Sequence, residues 1–463
     1  MRQKMPDLTL AMADFATRKQ AYPQLARSRT VDAMIDCIGC MLAGSREPLA
    51  APLLKVLPTT YGESALHTAL LIGTGRYGSP ADAALFNGTV AHALDYDDTN
   101  HPAYAHPSAV LVPALLAAAR ITGASGSDLI DGYIAGFEIF GKLGRAMNTQ
   151  HYKRGWHATS SFGTIAAVVA VARILGLDRQ KTVMALGIAA SSASGLRANF
   201  GSMVKPLHAG YAARNGVLAA QLAREGFDAS EVVLEHSYGY LSVFNAGIGF
   251  DVDPLLSLGE SLEIQTEHGL ALKPYPSCGA THPGIEAALA LHAELNGEEI
   301  ASVEAGVCEM AFSPLIHVMP RTPLEGKFSL HFCIAVALVF GEVKLSTFTD
   351  EKVMDPRVRA LIPKISMKTD ERWKADSEFS TEITVVTQFG RRLSHHIPLA
   401  AGKPERWFSP QQLRAKFDDC TDAFGGAFQN RVYTTLHALD QTPDAMALIS
   451  QLAIKERPDS VNT

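Results

Sequence analysis

The first 250 residues of the chain contain one segment with helical spacing after another, and several of these segments are apolar on almost every face. Residues 108–122 and 160–175 show this most clearly. A helix that is apolar all round must be covered by neighbours on every side, so it lies inside a large helical body. The sequence therefore predicts a mainly α-helical fold with closely packed helices. The other helices predicted in this region are 30–44, 81–94, 126–147, 179–194 and 206–225.

After about residue 265 strands are mixed with helices, and from about residue 405 the helical pattern returns. A return to the first pattern indicates that the mixed region interrupts one domain. We therefore expect a smaller α+β domain at 269–400, inserted into a helical domain formed by 1–268 and 401–463. The elements predicted for the inserted region are helices at 283–295 and 328–340, a strand at 301–311, and a hairpin formed by 382–386 and 392–397.

Composition excludes several classes of protein. With 463 residues, of which 47% are hydrophobic and 19% charged, the chain is long enough to bury a large core and too apolar for general disorder. A formal net charge of −6 argues against a nucleic-acid binder and provides no basic surface for an anionic membrane. Cys37 and Cys40 are interpreted as small buried side chains, because no second pair is available to complete a zinc site.

The sequence shows neither the apolar segment of a signal peptide nor one long enough to cross a membrane. The first 20 residues lack a continuous apolar segment, which a signal peptide requires. The most apolar runs, 110–119 and 165–171, fall short of the roughly 18–20 residues that cross a bilayer. We therefore expect a soluble, cytoplasmic protein.

Residues 73–78, GTGRYG, match the spacing of a dinucleotide-binding loop. Such a loop follows a strand, opens a helix at its last glycine and belongs to a βαβ unit. Here Ser79 and Pro80 delay the next helix, and no second strand follows. The segment is therefore interpreted as a turn.

Residues 92–108, HALDYDDTNHPAYAHPS, hold the densest group of reactive side chains and join two apolar helices. One interpretation is acid–base catalysis, in which His106 or His101 exchanges protons and an aspartate fixes its tautomer. A metal site and a solvated acidic loop with helix caps are the alternatives. So many polar groups beside apolar helices favour catalysis. The group comprises Asp95, Asp97, Asp98, His92, His101, His106 and Thr99.

Three further motifs place cationic groups near helix starts. His157 precedes a buried helix, where it could bind a carboxylate or simply be a core residue. Lys205 lies at a helix start, against the dipole preference, which hints at a bound anion; a solvated lysine is the alternative. Lys273, Cys278 and His282 share a proline-rich loop, where substrate binding by the lysine and histidine is favoured over a cysteine nucleophile. Together these groups suit a small polyanionic acid whose α-proton is moved.

Four motifs carry a resemblance to a known family. The segments NGTVAHALDYDDTNHPAYAHPS, GWHATSSFGT, NFGSMVKPLHAGYAARNG and KPYPSCGATHPGIEA resemble the MmgE/PrpD family, which includes 2-methylcitrate dehydratases, cis-aconitate decarboxylases and iminodisuccinate epimerases. The resemblance implies a large all-helical domain built from both ends of the chain, with a smaller α+β lid domain inserted. It also implies a homodimer, an active site between the domains, and no cofactor or metal.

The resemblance also implies a set of site residues. By analogy with the decarboxylase branch these are Asp95, Thr99, His106, His157 and Lys205, with Lys273 in the same pocket; we add His282 from its loop. The chain has His106-Pro-Ser-Ala-Val where methylcitrate dehydratases have HPSDN, which disfavours dehydration of methylcitrate.

These residues lead to a functional hypothesis. We expect a cofactor-independent enzyme for a small di- or tricarboxylic acid, in which Lys205, Lys273 and His157 hold carboxylates and Thr99 hydrogen-bonds the substrate. His106, oriented by Asp95, transfers a proton at the carbon next to a carboxylate. Loss of CO₂ or water makes the enzyme a lyase, which we favour, and reprotonation on the other face makes it an epimerase. A non-catalytic carboxylate-binding protein and a metal-dependent hydratase are the other hypotheses.

Overall fold

A computed structural model describes residues 6–61, 68–376 and 378–454. The chain divides into two compact units, one formed by Met1–Leu272 together with Ser409–Thr463 and the other by Lys273–Phe408. The fold is mainly helical with small sheets, which confirms the prediction of a mainly α-helical protein. Among the described residues, no helix has the length and apolar character needed to cross a membrane.

The first unit, called the helical unit below, contains most of the helices and three short strand pairings. Its helices before residue 272 are α1 Leu8–Thr17, α2 Gln24–Gly44, α3 Ala50–Val56, α4 Pro80–Ala91, α5 Ser108–Thr122, α6 Gly126–Met147, α7 Gln150–Lys153, α8 Ala158–Ile174, α9 Arg179–Ser192, α10 Val204–Arg224, α11 Tyr240–Phe244 and α12 Asp253–Leu256. Its strands are β1 Thr60–Tyr61, β2 Ala69–Leu70, β3 Arg76–Gly78, β4 Thr99–Asn100 and β5 Leu270–Ala271, paired β1–β3, β2–β3 and β4–β5, all antiparallel.

The second unit, called the α+β unit, is built on a four-stranded sheet in the order β7 (Ile365–Thr369), β6 (Ile300–Val307), β8 (Thr381–Thr387) and β9 (Arg392–Ile397), against which helices α13 (His282–Leu295) and α15 (Leu330–Phe340) pack. Strands β6 and β7 are parallel, with Val303 opposite Ile365, and the other two pairings are antiparallel. Helices α13 and α15 contribute buried residues to its core. The elements of this unit are α13 His282–Leu295, β6 Ile300–Val307, α14 Pro323–Lys327, α15 Leu330–Phe340, α16 Asp350–Val353, α17 Pro356–Leu361, β7 Ile365–Thr369, β8 Thr381–Thr387 and β9 Arg392–Ile397. The chain then returns to the helical unit, whose last helices are α18 Pro410–Thr421, α19 Gly426–His437 and α20 Ala445–Gln451.

The helices that are apolar all round lie in the interior, as predicted. Every residue of 108–119 on α5 and of 158–172 on α8 is buried. Helices α5 and α6 have the predicted bounds, because Gly123 ends α5 with a positive φ of 66° and Ser125 forms a capping box with Asp128 at the start of α6.

Two predicted elements differ from the structure by four residues or more at one end. Helix α2 begins at Gln24 and not at residue 30; its added first turns are mostly polar, and among them the side chain of Arg29 is buried and donates a hydrogen bond to the Ile264 carbonyl. The strand predicted over 301–311 ends at Val307, and a 3₁₀ turn at Glu309–Phe312 takes its place.

The GTGRYG segment forms the turn and second strand of the β2–β3 hairpin, and Ser79 then caps α4 by accepting a hydrogen bond from the Asp82 amide. It therefore follows the turn interpretation. Cys37 and Cys40 are both buried and unbridged.

Helices α4 and α10 approach each other closely enough for their backbones to touch. A Cβ atom at Gly88 would lie 2.9 Å from the Cα of Gly210, and one at Gly210 would overlap the carbonyl oxygen of Leu85. The residues that follow the end of α4 and those that begin α10 are therefore held against each other. Both groups contain side chains of the site described next.

Candidate active site in the helical unit

The segment between α4 and α5 carries a buried pair of a histidine and an aspartate. His92 follows the last residue of α4, and its Nδ1 lies 3.0 and 2.9 Å from the two carboxylate oxygens of Asp97. Both side chains are completely buried. Between them Asp95 has a φ of 55°, in the left-handed region that aspartate tolerates better than most residues. This conformation turns the chain so that His92 and Asp97 meet.

His106 lies between two carboxylates. Its Nδ1 is 3.3 Å from Oδ2 of Asp97, and its Nε2 is 3.9 Å from Oδ1 of Asp95. The backbone amide of His106 donates to Oγ1 of Thr159, which ties this residue to α8. The His106 side chain is 13% exposed, so it can be reached from outside while Asp97 cannot.

Lys205 stands in the first turn of α10 and pairs with Asp95. Its Nζ lies 2.5 Å from Oδ1 of Asp95, and both side chains are 19% exposed. Asp95 was expected to orient His106, but Asp97 is the nearer carboxylate and Asp95 is engaged by the lysine. The structure therefore separates the two roles: Asp97 supports the histidine, and Asp95 holds the cation.

A second pair of histidines borders this group. His157 is the residue before α8, and its Nδ1 lies 3.0 Å from Nδ1 of His208 on α10. One of these nitrogens must donate and the other accept, so each ring fixes the tautomer of the other. The ring of His157 is stacked on that of His92 with centroids 5.9 Å apart, and the Phe200 ring contacts His157 edge-on.

Burial decides the charge of the imidazoles. It lowers the pKa of His92 to about 4, against the opposing effect of Asp97, and it lowers the pKa of His157 well below its usual value with help from the nearby His92 and Lys205. The pKa of His208 is also lowered by burial. These rings are therefore neutral at physiological pH, which leaves lone pairs and N–H groups available for proton transfer.

The ionic groups keep their charge through their partners. Burial alone would raise the pKa of Asp97, but His92 and His106 outweigh it and hold that pKa well below the usual range. Burial alone would lower the pKa of Lys205, but Asp95 outweighs it and the pKa is raised. The site thus combines a buried carboxylate, an ammonium group and four imidazoles.

Asp98 faces a different set of groups. Its carboxylate accepts hydrogen bonds from the amide and hydroxyl of Ser108, and the Ser108 hydroxyl also lies 2.6 Å from the Tyr133 hydroxyl. Burial raises the pKa of Asp98 to about 8 despite the hydrogen bonds from Ser108, and the negative charge of Asp97 adds to the rise. Asp98 is therefore mostly protonated at neutral pH and anchors the start of α5.

The other predicted site residues belong to other elements. Thr99 is on β4, opposite Ala271 of β5. Lys273 and His282 belong to the α+β unit, where Lys273 is buried and Nε2 of His282 lies 3.1 Å from the Ser277 carbonyl oxygen. The cluster of the helical unit therefore brings together Asp95, His106, His157 and Lys205 from the predicted set.

Sequence reasoning missed three members of this cluster. His92 and Asp97 were noticed in the dense segment but were given no role, although their burial pairs them directly. His208 was not noticed, and its position three residues after Lys205 places both on one side of α10. That helical spacing is the signal that could have found it.

Three of these residues could also hold a metal ion. His92, Asp97 and His106 offer ligand atoms within 4.8 Å of one another. Nδ1 of His92 and both oxygens of Asp97 already satisfy one another by hydrogen bonding. The expectation of a metal-free site stays a prediction.

Two family models match the chain. Residues 10–253 match the MmgE/PrpD N-terminal domain, and residues 275–440 match the MmgE/PrpD C-terminal domain. The chain belongs to the MmgE/PrpD family. The resemblance found in the four sequence motifs is thereby confirmed.

Named MmgE/PrpD proteins are similar to the chain over about three quarters of its length. A cis-aconitate decarboxylase of Aspergillus terreus is 29% identical over 368 residues, covering 74% of this chain and 74% of the relative. A cis-aconitate decarboxylase of Mus musculus is 28% identical over 351 residues, covering 73% and 71%. A 2-methylcitrate dehydratase of Cupriavidus necator is 27% identical over 394 residues, covering 79% and 78%.

Proposed function

We propose that this protein is a lyase that removes CO₂ from a small tricarboxylic acid of the cis-aconitate type, with His106 as the proton donor. The observation that carries the proposal is the arrangement of His106 between Asp97 and the Asp95–Lys205 pair. An imidazole can transfer a proton and an ammonium can bind an anion, so the proximity of His106 to Lys205 supports this proposal. The similarity to decarboxylases and dehydratases of carboxylic acids supports the same class of chemistry.

The reaction follows from the structure of such a substrate. Loss of CO₂ from the CH₂–COO⁻ arm leaves an electron pair on that carbon. The adjacent double bond passes the pair to the carbon that bears the far carboxylate. That carbon takes a proton from His106, and the product is a dicarboxylic acid with a terminal double bond. His106 then recovers a proton from water after the product leaves.

Each side chain has a task in this scheme. The ammonium of Lys205 has three donors, of which Asp95 takes one, so the others can bind a substrate carboxylate. A fixed positive charge close to the developing carbanion stabilises the transition state electrostatically. Asp97 holds the His106 ring, and His157 donates an N–H to the substrate. Thr99, Lys273 and His282 stay predicted substrate contacts.

Dehydration is the second candidate, because relatives with that name also match the chain. It requires a base to remove an α-proton, and the partly exposed ring of His106 could serve as that base. An epimerase uses the same proton transfer without loss of a group. A homodimer, a cytoplasmic location and a lid role for the α+β unit also stay predictions.

One experiment separates these reactions. The protein is incubated in D₂O with cis-aconitate, 2-methylcitrate or iminodisuccinate in turn, and NMR follows the products and their deuterium. We expect CO₂ release from cis-aconitate and one deuterium in the new methylene group. Loss of water from 2-methylcitrate would instead indicate a dehydratase, and exchange without a new product an epimerase. Saturable binding with no exchange would indicate a binding protein, and loss of activity in EDTA a metal-dependent hydratase.

The role of His106 is tested by substitution. His106→Ala should lower kcat by about 100-fold or more, the usual scale for a general acid or base. His101→Ala, from the same motif, should change kcat by less than about tenfold. Near-normal turnover in the His106 variant, or a larger loss of kcat in the His101 variant, would contradict the assignment of His106 as the proton donor.

A further inference from the structure

A buried lysine from the end of the chain contacts the segment that carries the site. Lys416 lies on α18, in the part of the chain that follows the α+β unit, and only 5% of its surface is exposed. Lysine is rarely buried to this extent unless it is paired. None of the steps proposed above uses it.

The ammonium of Lys416 has polar contacts with two other elements of the helical unit. Nζ of Lys416 lies 2.5 Å from Oδ1 of Asp36 on α2, and it donates a hydrogen bond of 2.7 Å to the carbonyl oxygen of Tyr96. It also lies 4.0 Å from the centroid of the Tyr96 ring. The lysine therefore joins α2 and α18 to one residue of the segment between α4 and α5.

Tyr96 is the residue between Asp95 and Asp97. Its carbonyl belongs to the same peptide unit as the amide of Asp97, so a bond to that oxygen fixes the orientation of the peptide from which Asp97 projects. Asp95 on the other side has the left-handed φ of 55°, which a free loop would rarely keep. A contact at Tyr96 thus acts on both carboxylates of the site.

The charge of this lysine is maintained inside the protein. Burial alone would lower the pKa of Lys416, but Asp36 and the neighbouring Cys40 and Cys420 outweigh it, and the pKa is raised. A buried ion pair is weak evidence for stability, because apolar side chains of similar size often serve as well. A different reason for keeping the pair here is the hydrogen bond that it directs to Tyr96.

We propose that Lys416 is a positioning residue that holds the Tyr96 peptide, and through it Asp95 and Asp97, in the geometry that proton transfer at His106 requires. This inference rests on the proposed function for its kinetic consequences, and on the structure alone for the placement of the segment. The C-terminal part of the chain then contributes to catalysis without touching the substrate.

The test replaces the ion pair by apolar side chains of similar size, as Asp36→Leu with Lys416→Met. This double variant should remain folded, with an unfolding temperature close to that of the wild type, because no charge is left uncompensated. Its kcat should fall by about 10- to 100-fold, the scale of a displacement of about 1 Å in a catalytic group, while KM changes much less. The single variant Lys416→Arg, in which Asp36 is kept and a cationic donor remains, should retain most of the wild-type kcat.

A matched control uses a second buried lysine of the same unit. Lys142 on α6 is 7% exposed and lies 3.8 Å from Glu138, far along the chain from the site segment. Lys142→Met should leave kcat within about threefold of the wild type. If the apolar double variant fails to fold, Asp36→Asn with Lys416→Gln replaces it, since glutamine is one atom shorter than lysine and loses its reach to the Tyr96 carbonyl.

Amide exchange provides a readout that does not depend on turnover. Deuterium uptake of a peptide covering 93–99 should rise in either Lys416 double variant and stay at the wild-type level in Lys142→Met. A folded double variant with kcat within about threefold of the wild type, or a loss of kcat without increased uptake in 93–99, overturns the proposal. If the wild type turns over none of the acids, the proposed function fails, and the uptake measurement still decides the role of Lys416.

Discussion

Asp97 and Asp98 are neighbours in the sequence and both are completely buried, yet their pKa values shift in opposite directions. Asp97 faces the imidazole side of the segment, formed by His92, Asp97 and His106. Asp98 faces the hydroxyl side, formed by Asp98, Ser108 and Tyr133. The two sides share one backbone and differ in the partners that other elements supply.

The comparison separates the effect of burial from the effect of partners. Burial raises the pKa of both carboxyls by disfavouring their charged forms. Two imidazoles reverse this effect at Asp97, because they can carry positive charge. The hydroxyl and amide of Ser108 only reduce it at Asp98, because they donate hydrogen bonds without a charge. One side is therefore suited to proton transfer and the other to anchoring a helix.

The largest effect is expected from breaking the imidazole side. Asp97→Asn should lower kcat by about 100-fold or more, because the amide removes the negative charge beside both imidazoles and puts an N–H donor where one carboxylate oxygen stood. Decarboxylation of cis-aconitate, followed by steady-state kinetics, measures the effect. A kcat within about threefold of the wild type would show that His106 does not depend on Asp97.

On the hydroxyl side, the raised pKa of Asp98 should make the free energy of unfolding depend on pH. The folded pKa of Asp98 is about 8 and its unfolded value about 4, so the folded protein holds a proton that the unfolded chain has lost between these pH values. This contribution to stability is complete below about pH 4 and is lost as the pH rises through about 8. Asp98→Asn should remove this decline, which amounts to about 1 kcal/mol per pH unit.

Urea unfolding at several pH values from about 5 to 8 tests this, with the free energy of unfolding compared between variant and wild type. Asp228→Asn, which changes an exposed carboxyl, is the control and should follow the wild-type curve. A curve for Asp98→Asn that runs parallel to the wild type would contradict the raised pKa. Activity at neutral pH should fall by less than about tenfold, because an amide resembles the protonated carboxyl.

The smallest effect is expected from Tyr133, the tyrosine of the hydroxyl side. Tyr133→Phe removes the hydroxyl that lies 2.6 Å from Ser108, so it should cost about 1 kcal/mol of unfolding free energy, the usual value for one hydrogen bond. Its kcat should change by less than about threefold. A larger loss of activity than of stability would mean that the hydroxyl side also shapes the catalytic geometry.

The sequence predicts structure best where local signals mark both ends of an element. Gly123 and the capping box at Ser125 define neighbouring helix ends, and α5 and α6 have the predicted bounds. The start of α2 was missed because residues 24–29 are mostly polar, and the polar Arg29 is buried where it donates a hydrogen bond to Ile264, 235 residues away. No periodicity within the segment carries that information.

The same limit applies to the site. The density of acidic and basic groups in 92–108 indicated the segment that holds the candidate cluster, but not which carboxylate serves which partner. That assignment depends on the left-handed conformation of Asp95 and on side chains that α8 and α10 bring in from elsewhere. It is a property of tertiary structure, so residue types and spacing alone could not determine it.

The contact between Gly88 and Gly210 has a consequence for how such a site can change. Because two backbones touch there, the gap between the residue after α4 and the first turn of α10 is determined by main-chain atoms and not by the length of any side chain. Exchanging either glycine for alanine would keep every charged group and alter their separation. Selectivity for the size of an acid could therefore be tuned at a position that carries no chemistry of its own.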